Sequence, residues 1–138
     1  MQQKTWTYYL ERTLCFLCAI ILLETLFYKF TGHPNSVDLF TQLGIEPWGR
    51  IGTGILELIA SALLLFRKVS FHGALLALGL MGGAVFSHLT KLGISFNDDG
   101  GQLFYRAVVV LAASLAILAL RKDAIQEFID EVRSSQKK

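Results

Sequence analysis

The sequence predicts an all-α integral membrane protein: a four-helix bundle in up-down order, followed by a short C-terminal amphipathic helix. Three observations carry this. Of 138 residues, 53% are hydrophobic and 17% charged, with mean hydropathy +0.48, whereas a soluble domain carries about 25% charged residues. The charges avoid four apolar segments, residues 13–30, 48–66, 71–89 and 105–120. Each is 16 to 19 residues long, near the ~17–25 that cross a hydrocarbon core. Finally, a soluble bundle needs a polar face on every helix, and residues 107–120 offer Ser114 as their one polar side chain.

The opening MQQKTWTYYLERT is polar and aromatic, without the short apolar core and small-residue cleavage site of a signal peptide. Residues 13–30 are therefore expected as a retained first span, with Trp6, Tyr8 and Tyr9 as interfacial aromatics before it. Residues 31–47 read as a loop. The second span, 48–66, carries Glu57 in its middle. The turn at 67–70 makes spans two and three an antiparallel hairpin. Span three holds Gly73, Ala77, Gly79, Gly82, Gly83 and Ala84. Small residues let helices approach in lipid, so these glycines are expected at helix contacts, with room for a ligand as the alternative. Residues 90–104 read as a second loop, and 105–120 as the fourth span. In the tail, Ile125, Phe128, Ile129 and Val132 recur at helical spacing against charges, the pattern of a helix lying on a membrane surface. The last residues are expected to fray. The chain divides into a four-span unit, 1–122, and a tail, 123–138.

Loop charge sets the expected orientation. Nine basic residues (Lys4, Arg12, Arg67, Lys68, Arg121, Lys122, Arg133, Lys137 and Lys138) fall on one side. Lys29, Arg50, Lys91 and Arg106 fall on the other, each near a span end. The positive-inside rule puts both termini in the cytoplasm.

Helical phase and depth then place the polar residues. At 100° per residue, Arg50, Gly54, Glu57 and Ser61 share one face of span two. Glu57 lies about 13 Å along the helix from Trp48 at ~1.5 Å per residue. The same construction aligns Glu24 and Tyr28 on span one, Gly73, Ala77, Ala84, His88 and Lys91 on span three, and Gln102 and Arg106 on span four. The outer half is expected to collect Glu24, Arg50, Glu57, His88, Lys91, Gln102 and Arg106, with Lys29 at the end of span one. The inner half is expected to hold no comparable set. An ionised group at the bilayer centre costs roughly 2.5–3.5 kcal/mol or more. Glu57 is therefore expected to face inward and pair with Arg50, Arg106, Lys91 or His88. Two readings stay open: a clamp that sets helix register, or an outward-opening pocket for a small or amphipathic ligand. A proton relay between Glu57 and His88 belongs to the second.

Cys15 and Cys18 form C-x-x-C inside an apolar helix, so they are expected to pack rather than react. Two cysteines are too few for a zinc site, and no metal is expected. His33 and His72 have no ligand-spaced companions. No nucleotide, hydrolase or metalloprotease motif occurs. The net charge of +2 sits in loops and tail, so nucleic-acid binding has no support.

The runs YKFTGHPNSVDLFTQLGIEPWGRIGTGILELIASALLLF, GALLALGLMGGAVFSHLTKLGI and DGGQLFYRAVVVLAASLAILALRK resemble the DoxX family of small bacterial membrane proteins, in consistent order over about residues 22–122. The more specific pieces are Lys29 within Tyr28-Lys29-Phe30, the stretch 44–54, Glu57, His88 and Gly100-Gly101. The resemblance implies a four-span bundle in the bacterial cytoplasmic membrane. It also implies a link to membrane redox work, since relatives include small subunits of quinone-reducing sulfur oxidoreductases and a maturation factor for a periplasmic amine dehydrogenase. Gln102 departs from relatives that carry an acidic residue at the start of the fourth span.

Three classes of function follow as expectations. The first is an accessory or anchoring subunit of a membrane redox system, with quinone as candidate ligand and a membrane or periplasmic oxidoreductase as partner. The second is a stand-alone binder or transporter of a lipid or other amphiphile. The third is an independent enzyme, which the missing cofactor motifs disfavour. A purely structural interaction protein and a homo-oligomer complete the alternatives.

Overall fold

The computed structural model describes residues 2–137, with side chains from Thr5 onward. Six α-helices follow in order: α1 (Gln2–Phe30), α2 (Pro34–Gln42), α3 (Trp48–Leu65), α4 (Ser70–Ser87), α5 (Gln102–Leu120) and α6 (Lys122–Ser135). A 3₁₀ turn, Arg67–Val69, precedes α4, and a π-helical turn, His88–Leu92, extends it. Four segments are long and apolar enough to cross a membrane: Thr5–Phe30, Trp48–Leu65, Arg67–Leu92 and Gln102–Leu120. They close a ring in which α1 packs on α3, α3 on α4, α4 on α5, and α5 on α1.

The core is built from small and medium side chains: Cys15, Cys18, Leu22, Ala60, Leu64, Ala74, Ala77, Val110 and Ile117 are all buried. Large apolar residues point the other way. Phe16, Ile20, Phe27, Ile59, Phe86 and Leu115 are exposed. A helix apolar on its outer surface needs lipid as its solvent. The protein is a multi-pass membrane protein whose outer faces contact the bilayer.

Gly73 shows why the interior is built from small residues. A Cβ there would come within 2.7 Å of the Leu64 backbone nitrogen and 3.0 Å of the Ala60 carbonyl oxygen. The backbones of α3 and α4 touch at this point, so only glycine fits. The expectation of packing glycines fails at Gly79, Gly82 and Gly83, where a Cβ would meet nothing within 4 Å.

The end of the bundle that carries both termini differs from expectation. Helix α1 starts at Gln2 instead of residue 13, which carries Glu11 and Arg12 into the bundle. Glu11 is 2% exposed. It accepts from Ser70 Oγ at 2.9 Å and from the Cys15 thiol at 3.4 Å, with Arg12 and Arg121 at 3.7 and 3.8 Å. Arg12 donates to the Leu64 and Leu65 carbonyls at 3.3 and 2.7 Å, and Arg121 donates to the Arg67 carbonyl at 2.8 Å. A helix C-terminus leaves its last carbonyls without intrahelical donors, and Arg12 satisfies two of them at the end of α3. The half expected to hold no polar set therefore holds a clamp joining α1, α3, α4 and α5.

The opposite end also gains structure. Residues 31–47, read as a loop, contain α2. Pro34 is its first residue, and the His33 ring nitrogen Nδ1 accepts from the Asn35 N–H at 3.3 Å. Phe40 buries the inner face of α2. Residues 93–101 pass beside α2, and Asn97 Nδ2 reaches Asn35 and Asp38 oxygens at 3.5 Å. Helix α6 folds back so that the Phe128 ring lies 6.1 Å from Phe71 and 5.9 Å from His72. Phe128, Ile129 and Val132 keep about 40% of their surface exposed (41%, 39% and 42%).

Candidate functional site: a polar-walled cavity in the bundle

A cavity of about 680 Å³ occupies the half of the bundle beneath α2. Its apolar walls include Ile21, Leu22, Phe40, Leu80, Met81, Leu103 and Ala107. Its polar groups come from all around the bundle. Helix α1 supplies Thr25 and Lys29, α3 supplies Glu57, and the π-helical turn supplies His88. Helix α5 supplies Gln102 and Arg106, and the flanking loops supply His33 and Asp99. An apolar pocket of this size with a few convergent polar groups is the usual form of a small-molecule site.

Glu57 is 4% exposed. Lys29 Nζ donates to its two carboxylate oxygens at 3.0 and 2.9 Å, and Thr25 Oγ1 donates to Oε2 at 3.0 Å. Glu57 thus faces inward and is paired, but its partner is Lys29 and none of the four basic residues expected. Helix α1 turns the stripe 22–25–29 inward; Glu24, on the stripe aligned from sequence, is exposed. Glu24 accepts from Arg106 at 3.1 Å near the rim. Arg50 is spent elsewhere. It donates to Glu46 at 2.8 Å and to the Lys29 carbonyl, tying the end of α1 to the start of α3. Lys91 is exposed and does not line the cavity.

His88 is 4% exposed, and its Nδ1 lies 2.8 Å from the Gly93 carbonyl oxygen. A carbonyl only accepts, so Nδ1 carries the proton and Nε2 is the ring atom left for a ligand. The Phe104 ring meets the imidazole edge-to-face at 5.8 Å. Lys29 spends two ammonium N–H groups on Glu57 and keeps a third. The wall therefore offers a ligand both donors and an acceptor, held in place by their other bonds.

Asp99 orders the cavity's loop wall. Its Oδ1 accepts from the Phe96 and Gly101 N–H groups at 3.0 and 2.7 Å, and its Oδ2 from Leu103 at 3.1 Å. Burial works against its ionisation, but these three donors outweigh burial, with help from His88, and hold its pKa below the ordinary aspartate value.

The profile of the DoxX-like family matches residues 13–117. The chain belongs to the DoxX-like family. No curated protein and no solved structure matches it. The matched region of this DoxX-like protein contains every cavity-lining residue and ends before α6.

Of the residues singled out by sequence, the cavity brings together Lys29, Glu57, His88, Gln102 and Arg106, and leaves out Glu24, Arg50 and Lys91. Tyr28, aligned with Glu24 in the sequence, also lines it, and Thr25, His33, Asn35, Ser87 and Asp99 join from positions the sequence did not mark as part of the polar cluster. Thr25 was within reach, since it precedes Lys29 by four residues and so shares its helix face. His33 and Asp99 lie in connecting segments, where helical phase carries no information.

Proposed function

We propose that this DoxX-like protein holds an amphipathic ligand of the quinone class in its cavity, as an accessory subunit of a membrane redox system. The observation that carries the reading is the convergence of Lys29, Glu57, His88, Gln102 and Arg106 on one apolar-walled space. Groups that are expensive to keep in a membrane mark function more often than they mark packing. A quinone ring suits these walls: Leu80, Met81 and Leu103 are apolar, while Lys29, Arg106 and Gln102 donate to ring carbonyls. His88 Nε2 accepts from a quinol hydroxyl. The bound quinone would supply reversible two-electron chemistry, and the oxidoreductase partner implied by the family resemblance would exchange the electrons. The positive-inside rule puts both termini in the cytoplasm and the cavity in the outer half of the bacterial inner membrane.

A second reading, a stand-alone binder or transporter of an amphiphile, is favoured by one feature. The four spans and α2 all contribute to the cavity wall, so the bundle surrounds a ligand within itself.

Native mass spectrometry of protein extracted from its own membranes in mild detergent tests the reading. The wild type is expected to carry one amphiphile per chain. Ala84→Phe, which fills the cavity from α4, is expected to release it. An empty wild type, or equal occupancy in both proteins, contradicts the proposal. A quinone in the bound mass supports the redox reading, and another lipid favours the second.

A further inference from the structure

We infer that the cavity opens sideways into the bilayer at Gly79 and Leu80, and that its ligand is a neutral-headed, single-chain amphiphile whose tail leaves along α4. This rests on the cavity being a ligand site, and adds the route and the ligand's shape and charge.

Five observations converge. Gly73, Leu76, Leu80, Gly83 and Ser87 form one i, i+3, i+4 stripe along α4. At Gly73 the stripe is pressed against the α3 backbone. Further along, Leu80, Gly83 and Ser87 line the cavity instead, so the α3–α4 seam is closed at one end and parted at the other. Gly79 and Gly83 are exposed, and a Cβ on either would touch nothing within 4 Å. Helix-interior glycines weaken a helix, and neither a close approach nor a turn uses these two; what they leave is space. Outside α4, a second concavity of about 420 Å³ is lined by His72, Leu75, Leu76, Gly79 and Leu80. Gly79 and Leu80 border both spaces, so these two residues stand between the interior and the lipid-facing groove. From Leu80 to His72 the groove follows α4 for about 12 Å at 1.5 Å per residue. Its walls are apolar until His72, which suits an alkyl or prenyl chain.

Charge defines the head. The cavity wall carries Lys29 and Arg106 against Glu57 and Asp99. Lys29 is bonded to Glu57, Arg106 to Glu24, and Asp99 to three backbone N–H groups. The cations are already answered, so an anionic phospholipid head finds no unmatched positive charge, and a neutral polar head finds hydrogen-bonding groups.

The test compares three probes by native mass spectrometry of the full-length protein in mild detergent: a decyl-tailed benzoquinone, its tailless benzoquinone head, and decyl phosphate. The wild type is expected to bind both quinones, and decyl phosphate about ten-fold less than the tailed quinone. Leu75→Trp, which crowds the outer groove at a position that does not line the cavity, is expected to lower tailed-quinone occupancy about ten-fold and to leave the tailless head within about two-fold. Gly79→Ala with Gly83→Ala, which adds atoms only where space is open, is expected to shift the tailed probe the same way by less. Equal loss of both quinones, or no loss of either, overturns the lateral route while the cavity reading stands on Ala84→Phe displacing the tailless head. Tighter binding of decyl phosphate overturns the neutral head. A wild type that binds neither quinone overturns both the route and the cavity reading.

Discussion

Glu57 is tolerated within a membrane helix because Lys29 and Thr25 converge on it from α1. Removing one partner of such a pair leaves the other charge buried and alone, which costs about 3–5 kcal/mol. Lys29→Met is therefore expected to lower the thermal midpoint in detergent steeply. Arg50→Met, which leaves the Lys29–Glu57 pair in place, is expected to act only through the lost tie between α1 and α3. Equal midpoints for wild type and Lys29→Met would show that Glu57 has another partner. Asp99 gives a second expectation at this scale. Its folded pKa lies below the unfolded value, so its stabilising contribution is present above about pH 4 and is lost as pH falls through the folded pKa. The midpoint difference between wild type and Asp99→Asn should be largest near neutral pH and shrink toward pH 3. A difference constant with pH would contradict the three-donor arrangement. That Glu57 must face inward was legible in the sequence, because no other placement is affordable in lipid. That Lys29 meets it was not. The choice between the 24–28 and 25–29 stripes of α1 is a rotation of about 100°, and nearly every flank of that helix is apolar.

Among the elements, α3 and α4 are held together by the absence of a single atom. Gly73→Ala is expected to cost about 1–3 kcal/mol, the usual penalty of overpacking. Gly82→Ala, with nothing within 4 Å, is expected to be neutral or to gain up to about 1 kcal/mol of helix propensity. Thermal unfolding of the two variants in one detergent checks the contrast, and equal effects would contradict the close approach at Gly73. The span boundaries were readable because hydropathy has sharp edges at Trp48, the 67–70 turn and Leu120. The start of α1 was not, since helix propensity continues through polar residues 2–12 where hydropathy stops. For the same reason Glu11 and Arg12 were read as lying before the span, whereas they clamp the helix ends. Helix α2 was hidden because nine residues make too short a window for periodicity, although Pro34 at its first position is a start signal.

For the whole molecule, the bundle separates a clamped end from a hollow one. We propose, from nine basic residues against four, that the clamped end faces the cytoplasm. Single cysteines at Ser95 and Thr41, both exposed at the hollow end, should react with a membrane-impermeant maleimide in intact cells, in a background of Cys15→Ala and Cys18→Ala. Cysteines at Lys68 and Ser134 should react only after permeabilisation. The reverse pattern would invert the orientation.

We propose that Lys29 and Glu57 serve the cavity's ligand rather than the fold. Replacing a whole buried ion pair by apolar residues of similar volume is often neutral or stabilising by about 1–4 kcal/mol. The Leu22 carbonyl lies 2.8 Å from Thr25 Oγ1, so the single hydroxyl proton has an acceptor to turn to when Glu57 is gone. The decisive measurement is bound-amphiphile occupancy, by native mass spectrometry, in the double variant Lys29→Met with Glu57→Leu. The thermal midpoint is expected at or above that of the wild type, with occupancy lowered at least about ten-fold. Full occupancy in a stable double variant would contradict it, and so would a midpoint that collapses while the remaining folded protein keeps its ligand.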